Sequence, residues 1–409
     1  MDTSKLQAII EDQKYPVRER QLRVNQTLHL MGEAGIRLAL EAVRAAHSEP
    51  VAAMAANFLA HTPGYYSQKD ELLRDLITEQ TDKLTAAANL IQDASQPTAQ
   101  LLLEYLLTLP KPKDQISAVF ELALHFPDKV RPHHSALEDC DIFEQVLPGA
   151  PDEWVESLAA RYQADPREYW LFALGQIRTD SARATLIDIS KQQEPSRQIY
   201  IYALLEAAGV FPDTRLASTY PQSYRGYTVE GSGSPHVMGL RVNHPVPQCP
   251  VSQITAECVL FLDCGQLHIE FESSNCPSFF WYEGQHPPGS VYMVFGEEGP
   301  RCIMTGDAEQ QTRELFPEQL ALQLVPKSFS RGRGGNALPG FAQHQVGGFP
   351  HLIYPERFPR CPLCNQGMKF LASIDSGITI VAALQFSGTL YCFWCDECSV
   401  ACTVAQTVE

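Results

Sequence analysis

Two Cys-x-x-Cys pairs, Cys361-Pro362-Leu363-Cys364 and Cys395-Asp396-Glu397-Cys398, stand close together in the tail of this chain. No other feature restricts the fold as strongly. Each short pair bends the backbone so that two sulfurs face one way, and the segment between brings the second pair round to close a tetrahedron. The spacing therefore predicts a zinc site made by Cys361, Cys364, Cys395 and Cys398. Four protein thiolates leave no position for water or substrate, so that zinc is expected to be structural. Gly367, after the first pair, is expected to supply the positive φ of a tight turn. The stretches 368–374 and 388–394 read as strands, which together with the knuckles describe a zinc-ribbon-like unit.

The same tail also reads Cys392-x-x-Cys395-x-x-Cys398-x-x-x-Cys402, the spacing of a bacterial ferredoxin cluster. It lacks the following proline, has no second copy, and would leave Cys361 and Cys364 unused. Structural disulfides or free thiols would also account for cysteines in this tail. Cys392 and Cys402 read as small buried hydrophobes on strands.

Composition narrows the class. A chain of 409 residues with 44% apolar and 19% charged residues is globular, with room for two or three domains. The N-terminus does not read as a signal peptide, and no apolar run is long enough to span a bilayer. Twelve cysteines without a secretory signal fit a reducing cytoplasm, where paired cysteines mean metal more often than disulfide. The net charge is −17, and both parts of the chain contribute: 20 basic against 31 acidic residues over 1–213, and 11 against 17 beyond. Such a surface repels phosphate backbones and suits a basic protein partner. Solubility alone would also explain it.

Residues 1–213 read as helix throughout, with apolar residues at three- and four-residue spacing and boundaries at Pro, Gly, Asp or Ser. Helices are expected at 51–59, 71–92, 98–108, 114–125, 153–163, 169–177, 181–192 and 196–208. Short turns between them suggest a HEAT-like solenoid, or else a compact bundle. Residues 214–236 look like a polar linker. From 237 to 409 strand signals dominate, with strands expected at 256–262, 267–271 and 290–295. The basic glycine-rich stretch carrying Arg331 and Arg333 reads as a loop.

This second part echoes itself. Cys249-Pro250-Val251-Ser252 leads into a strand ending at Asp263, and Cys361-Pro362-Leu363-Cys364 leads into one ending at Asp375. A β domain duplicated as 237–325 and 346–409 is the simplest reading, with Ser252 marking a first-half site that has lost its metal. Cys258, Cys264 and Cys276 have no spacing that would replace it. The fold class is thus α+β multidomain: a helical N-terminal part, then a duplicated, mainly antiparallel β domain with a zinc-ribbon-like four-cysteine knuckle.

The pattern Gly347-Gly348-Phe349-Pro350, Pro359-x-Cys361-Pro362-x-Cys364, Met368-x-Phe370-Leu371-Ala372-x-Ile374-Asp375, Gly388-x-Leu390-Tyr391-x-Phe393 and Cys395-x-x-Cys398 resembles the YwqG-like family. That bacterial domain is related to the eukaryotic programmed-cell-death-two-like proteins. The resemblance covers about residues 225–409 and leaves the helical part outside. It implies a duplicated β-rich domain that binds other proteins, since the eukaryotic relatives are chaperones of a ribosomal protein and some bacterial members occur among toxin-immunity genes. It supplies no catalytic residues.

The expected function is therefore non-enzymatic: an acidic, zinc-stabilised clamp or chaperone-like adaptor for a basic partner such as a ribosomal protein or a toxin. The alternative is association with RNA or the ribosome through the ribbon, Arg331 and Arg333, with Trp281, Tyr282, Phe393 and Trp394 as stacking faces. A metal-dependent enzyme ranks below both. No His-Glu-x-x-His, Gly-x-Ser-x-Gly or phosphate-loop pattern occurs, and the adjacent His133 and His134 read as a loop. His351, close to the ribbon, is a candidate supporting residue.

Overall fold

The computed structural model describes residues 3–45, 48–81, 83–230, 233–240, 255–271, 276–282, 289–296, 299–305, 314–327 and 342–407. The knuckle at 249–252 and the loop with Arg331 and Arg333 lie outside them. The chain divides into two compact units, the first comprising 1–182 with the short segment 379–381 and the second most of the remainder. The helices Asp180–Ser190 and Pro195–Ala207 thus fall wholly or mainly in the second unit, not with the other helices.

The first unit is helical, and an apolar core cluster runs from Leu6 to Val146. Helix Glu49–Ala60 sits inside it. Its residues are buried on every side from Met54 to Ala60, as expected for a helix apolar all round. The helix expected over 71–92 is interrupted: Tyr66–Thr78 ends before Gln80, which takes φ 53°, and the chain resumes as Lys83–Ala86 and a 3-10 turn Ala88–Asp93. The break brings Asp93 back to Lys69. Their ion pair, 3.0 Å long with both side chains fully buried, also uses Thr62 O, 2.7 Å from Lys69 Nζ.

The second unit is built on one antiparallel sheet. Its strands are β1 (Ser223–Val229), β2 (Val237–Met238), β3 (Glu257–Phe261), β4 (Ser278–Trp281), β5 (Ser290–Gly296), β6 (Gly299–Thr305), β7 (Leu320–Pro326), β8 (His344–Gly347), β9 (Lys369–Ile378), β10 (Ala383–Cys395) and β11 (Val400–Gln406). Their spatial order is β4-β3-β2-β7-β1-β8-β9-β10-β11-β5-β6. β1 falls in the stretch that reads as a linker. Its Ser and Arg give it a polar look, but Tyr224, Arg225 and Tyr227 are buried and the strand lies between β7 and β8. The strand expected at 267–271 is irregular backbone, although Leu267 and Ile269 are buried while His268 and Glu270 are exposed.

The register is alike in two parts of the sheet, as the expected duplication would require. Val237 lies between Phe261 and Ala321, and Gln345 lies between Ser373 and Arg225. The hairpins β3–β4 and β9–β10 carry an irregularity at the same place, between Cys258 and Leu260 in one and opposite the Cys392/Phe393 step in the other. Beyond it Glu257 pairs with Trp281, and Lys369 with Trp394. The two halves exchange their leading strands. β1 precedes β2 in the chain but pairs with β8, while β7 precedes β8 but pairs with β2.

A histidine and a glycine mark the same point in each half. His236 Nδ1 accepts the Asp263 N–H at 3.1 Å, and His344 Nδ1 accepts the Asp375 N–H at 3.3 Å. Gly239 and Gly347 end β2 and β8 with φ of 64° and 67°. A β-carbon at Gly347 would stand 1.8 Å from Gln222 O, so both the left-handed backbone and the close approach require glycine.

Candidate metal centre

The first knuckle hangs before β9. Cys361 N–H donates to Gln366 O at 2.8 Å and Asn365 N–H donates to Cys361 O at 2.9 Å, closing the turn. Asn365, not Gly367, carries the positive φ, at 58°. Gly367 is needed for another reason: a β-carbon there would come 2.3 Å from the Phe211 ring. The second knuckle is the β10–β11 turn, where Cys395 pairs with Val400 and Ser399 takes φ 51°. In both knuckles the residue after the second cysteine is left-handed, so each Cys-x-x-Cys turns the same way.

The two turns bring together Cys361, Cys364, Cys395 and Cys398, whose sulfurs all lie within 4.8 Å of one another. Cys364 Sγ is 3.8 Å from Cys395 Sγ. A tetrahedron with metal–sulfur bonds of about 2.3 Å has edges of about 3.8 Å, so the donor set fits a metal ion. Cys361 and Cys395 are buried, while Cys364 and Cys398 are half-buried. Burial and the neighbouring Cys364 thiol push the Cys398 thiol up to about 12, and burial also raises Cys395. At Cys364 burial raises the thiol pKa, but the Gln366 N–H and the other sulfurs outweigh it, and the net shift is downward. Four thiolates this close need a cation to be stable together.

The surroundings hold both turns. Asp396 Oδ2 accepts from Tyr220 Oη at 2.8 Å and Lys369 Nζ at 3.2 Å. Arg360 donates to Asn365 O at 3.2 Å and pairs with Asp213 at 2.9 Å. Glu206, almost wholly buried on helix Pro195–Ala207, accepts the Phe358 N–H at 2.6 Å and pairs with Arg357 Nε at 2.8 Å. That carboxylate fixes the segment entering the first knuckle, and it reads in the sequence as an ordinary helix-surface acid.

The ferredoxin-like spacing does not match this geometry. Cys392 and Cys402 are fully buried on β10 and β11, and neither belongs to the sulfur cluster. At the position of Cys395 the first half has Tyr282, the residue after Trp281, so more than Ser252 separates the halves. Cys258 is buried in β3, and its thiol is pushed up to about 12 by burial. The Cys264 N–H reaches Cys276 Sγ at 3.4 Å, and among the described residues neither joins a metal-binding group.

No family model, curated protein or solved structure matches this chain.

The remaining sequence candidates resolve individually. Trp281, Tyr282, Phe393 and Trp394 are all buried, so none offers a stacking face. His133 and His134 belong to a 3-10 helix, Arg131–Cys140, where His134 meets the Trp154 ring edge-on at 5.0 Å. His351 contributes its backbone carbonyl, which accepts from Tyr391 Oη at 2.7 Å. Among the described residues, no helix is long and apolar enough to cross a membrane.

Proposed function

We propose that this protein is a non-enzymatic binding protein for a basic protein partner, with a structural zinc ion on Cys361, Cys364, Cys395 and Cys398. The observation that supports it most directly is the closed four-sulfur donor set. All four positions of a tetrahedral zinc are taken by protein, which suits a folding role and leaves no site for activating water. Zinc binding then contributes folding free energy to the knuckles. A cytoplasmic location keeps the thiols reduced.

The net charge of −17 supports the choice of partner. It favours encounter with a basic surface and opposes approach to RNA or DNA. The resemblance to YwqG-like domains points the same way, towards an adaptor or chaperone-like role for a ribosomal protein or a toxin.

Capture from a nuclease-treated lysate on immobilised, zinc-loaded protein tests this. A basic protein retained at low salt, released as salt rises and unaffected by nuclease is the expected result. Retention that disappears with nuclease, or turnover of a small-molecule substrate, would overturn it.

A further inference from the structure

The helical unit contains a cleft of about 710 Å³. Among the described residues its lining includes Glu49, Glu121, Asp141 and Glu144, and no Lys, Arg or His. Ala53, Ile116, Phe120 and Tyr169 supply apolar and aromatic wall, and Ile116 and Tyr169 are exposed at 38% and 42%. One more lining residue sets this apart from an acidic patch. Gln145 is only 5% exposed, and its Oε1 has no hydrogen-bond partner among the described residues. A buried acceptor left without a donor is unfavourable, and a donor entering the cleft would relieve it.

We infer that this cleft receives an arginine side chain from the basic partner. The inference rests on the reading of a basic partner and adds the place and the chemistry of recognition. The four carboxylates and the Gln145 oxygen are all acceptors, which calls for a donor-rich cation. A guanidinium offers five N–H donors in one plane, and its methylenes and flat face suit Ile116, Phe120 and Tyr169. The space is too wide for a bare metal ion: among the described residues the four cysteines form the one group close enough for that. The local field agrees. The Tyr169 phenol is pushed up by burial first and then by Glu144 and Asp141. His125 is 3.3 Å from Glu121, and Lys113 and Arg161 act on Cys140 and Tyr169 from beyond the lining.

Calorimetric titration of the full-length, metal-loaded protein with a short acetylated Arg–Gly repeat peptide tests the inference, with the citrulline version of the peptide as neutral control. Saturable one-site binding is expected for the arginine peptide and none for the citrulline one. Asp141→Asn with Glu144→Gln should weaken it at least about tenfold, equivalent to about 1.4 kcal/mol. The same charge change at exposed Glu153 and Glu156 should leave affinity unchanged. Ala53→Phe, which fills the cleft without touching charge, should abolish binding in a protein whose circular dichroism is preserved. If that variant does not fold, the Asp141/Glu144 variant decides alone. Equal weakening by both charge pairs would overturn the cleft as the site while leaving the basic-partner reading intact. No peptide binding, with a basic protein still captured from lysate, would sink the inference alone. Failure of both experiments would remove the reading beneath it.

Discussion

The two halves of the sheet share a backbone plan and differ in what holds their ends. In each, a histidine Nδ1 accepts an aspartate N–H and a left-handed glycine ends the strand. In each, a tryptophan, Trp281 or Trp394, closes the hairpin register. The next residue is Cys395 in the second half and Tyr282 in the first. Cys395 joins three other sulfurs, whereas Tyr282 is buried with its Oη 3.7 Å from Cys302 Sγ. The sheet register therefore does not depend on the four-sulfur cluster. Packing and the His–Asp contact set it in both halves, and a metal on the four sulfurs would secure only the two turns of the second.

Substitutions at paired positions can break this comparison. Cys361→Ser should remove the metal and cost more than about 4 kcal/mol, the range associated with lost metal sites. Tyr282→Phe, in the half without a four-sulfur centre, should leave metal content untouched; both are read by thermal melting with elemental analysis. If Tyr282→Phe releases metal, the two halves are not independent as described.

Glu206→Gln comes next. It removes the shorter of the two carboxylate contacts of Arg357, leaving Asp213 at 3.9 Å, and should cost about 2–3 kcal/mol by denaturant titration. It should also loosen metal retention against a chelator, because Phe358 and Arg357 lead into the first knuckle. An unchanged off-rate would show that the knuckle holds itself.

Gly347→Ala and Gly239→Ala sharpen the comparison further. Both force a β-carbon into a left-handed backbone. At Gly347 the obstacle is the main-chain Gln222 O at 1.8 Å, and at Gly239 it is the Phe316 side chain at 2.6 Å. The first should cost about 3 kcal/mol and the second about 1–2 kcal/mol. The reverse order would contradict the packing described.

The smallest effect concerns pH. Burial lowers the His236 pKa below its ordinary value of 6.5, partly opposed by Asp263. A depressed histidine contributes stability that is present above the unfolded pKa and lost as pH falls below it. Protonation would also remove the acceptor for the Asp263 N–H. Wild-type protein should therefore lose stability below about pH 6.5. His236→Gln should flatten part of that slope, as measured by melting temperature against pH.

The four-cysteine cluster was legible because thiolate spacing is local and few other chemistries share it. The strand-Asp echo pointed to the two like hairpins, β3–β4 and β9–β10, while the first Cys-Pro copy lies outside the described residues. The exchange of β1 and β7 was not legible, since strand partners far apart in sequence leave no local trace. Ser223–Val229 hid as a linker because its buried Tyr224 and Tyr227 sit among polar neighbours. His236 and His344 look like any isolated histidines until the two halves are superposed by register. Glu206 gave no signal, because burial of a helical carboxylate is decided by what packs against it. Gln80 likewise ended a helix that periodicity alone would continue.

The most direct test is elemental analysis of purified protein, wild type against Cys395→Ser. One zinc per wild-type chain and none in the variant is the expected result, with a matching loss of thermal stability. Iron with visible absorbance, or a wild-type protein that binds no metal and melts like the variant, would contradict it.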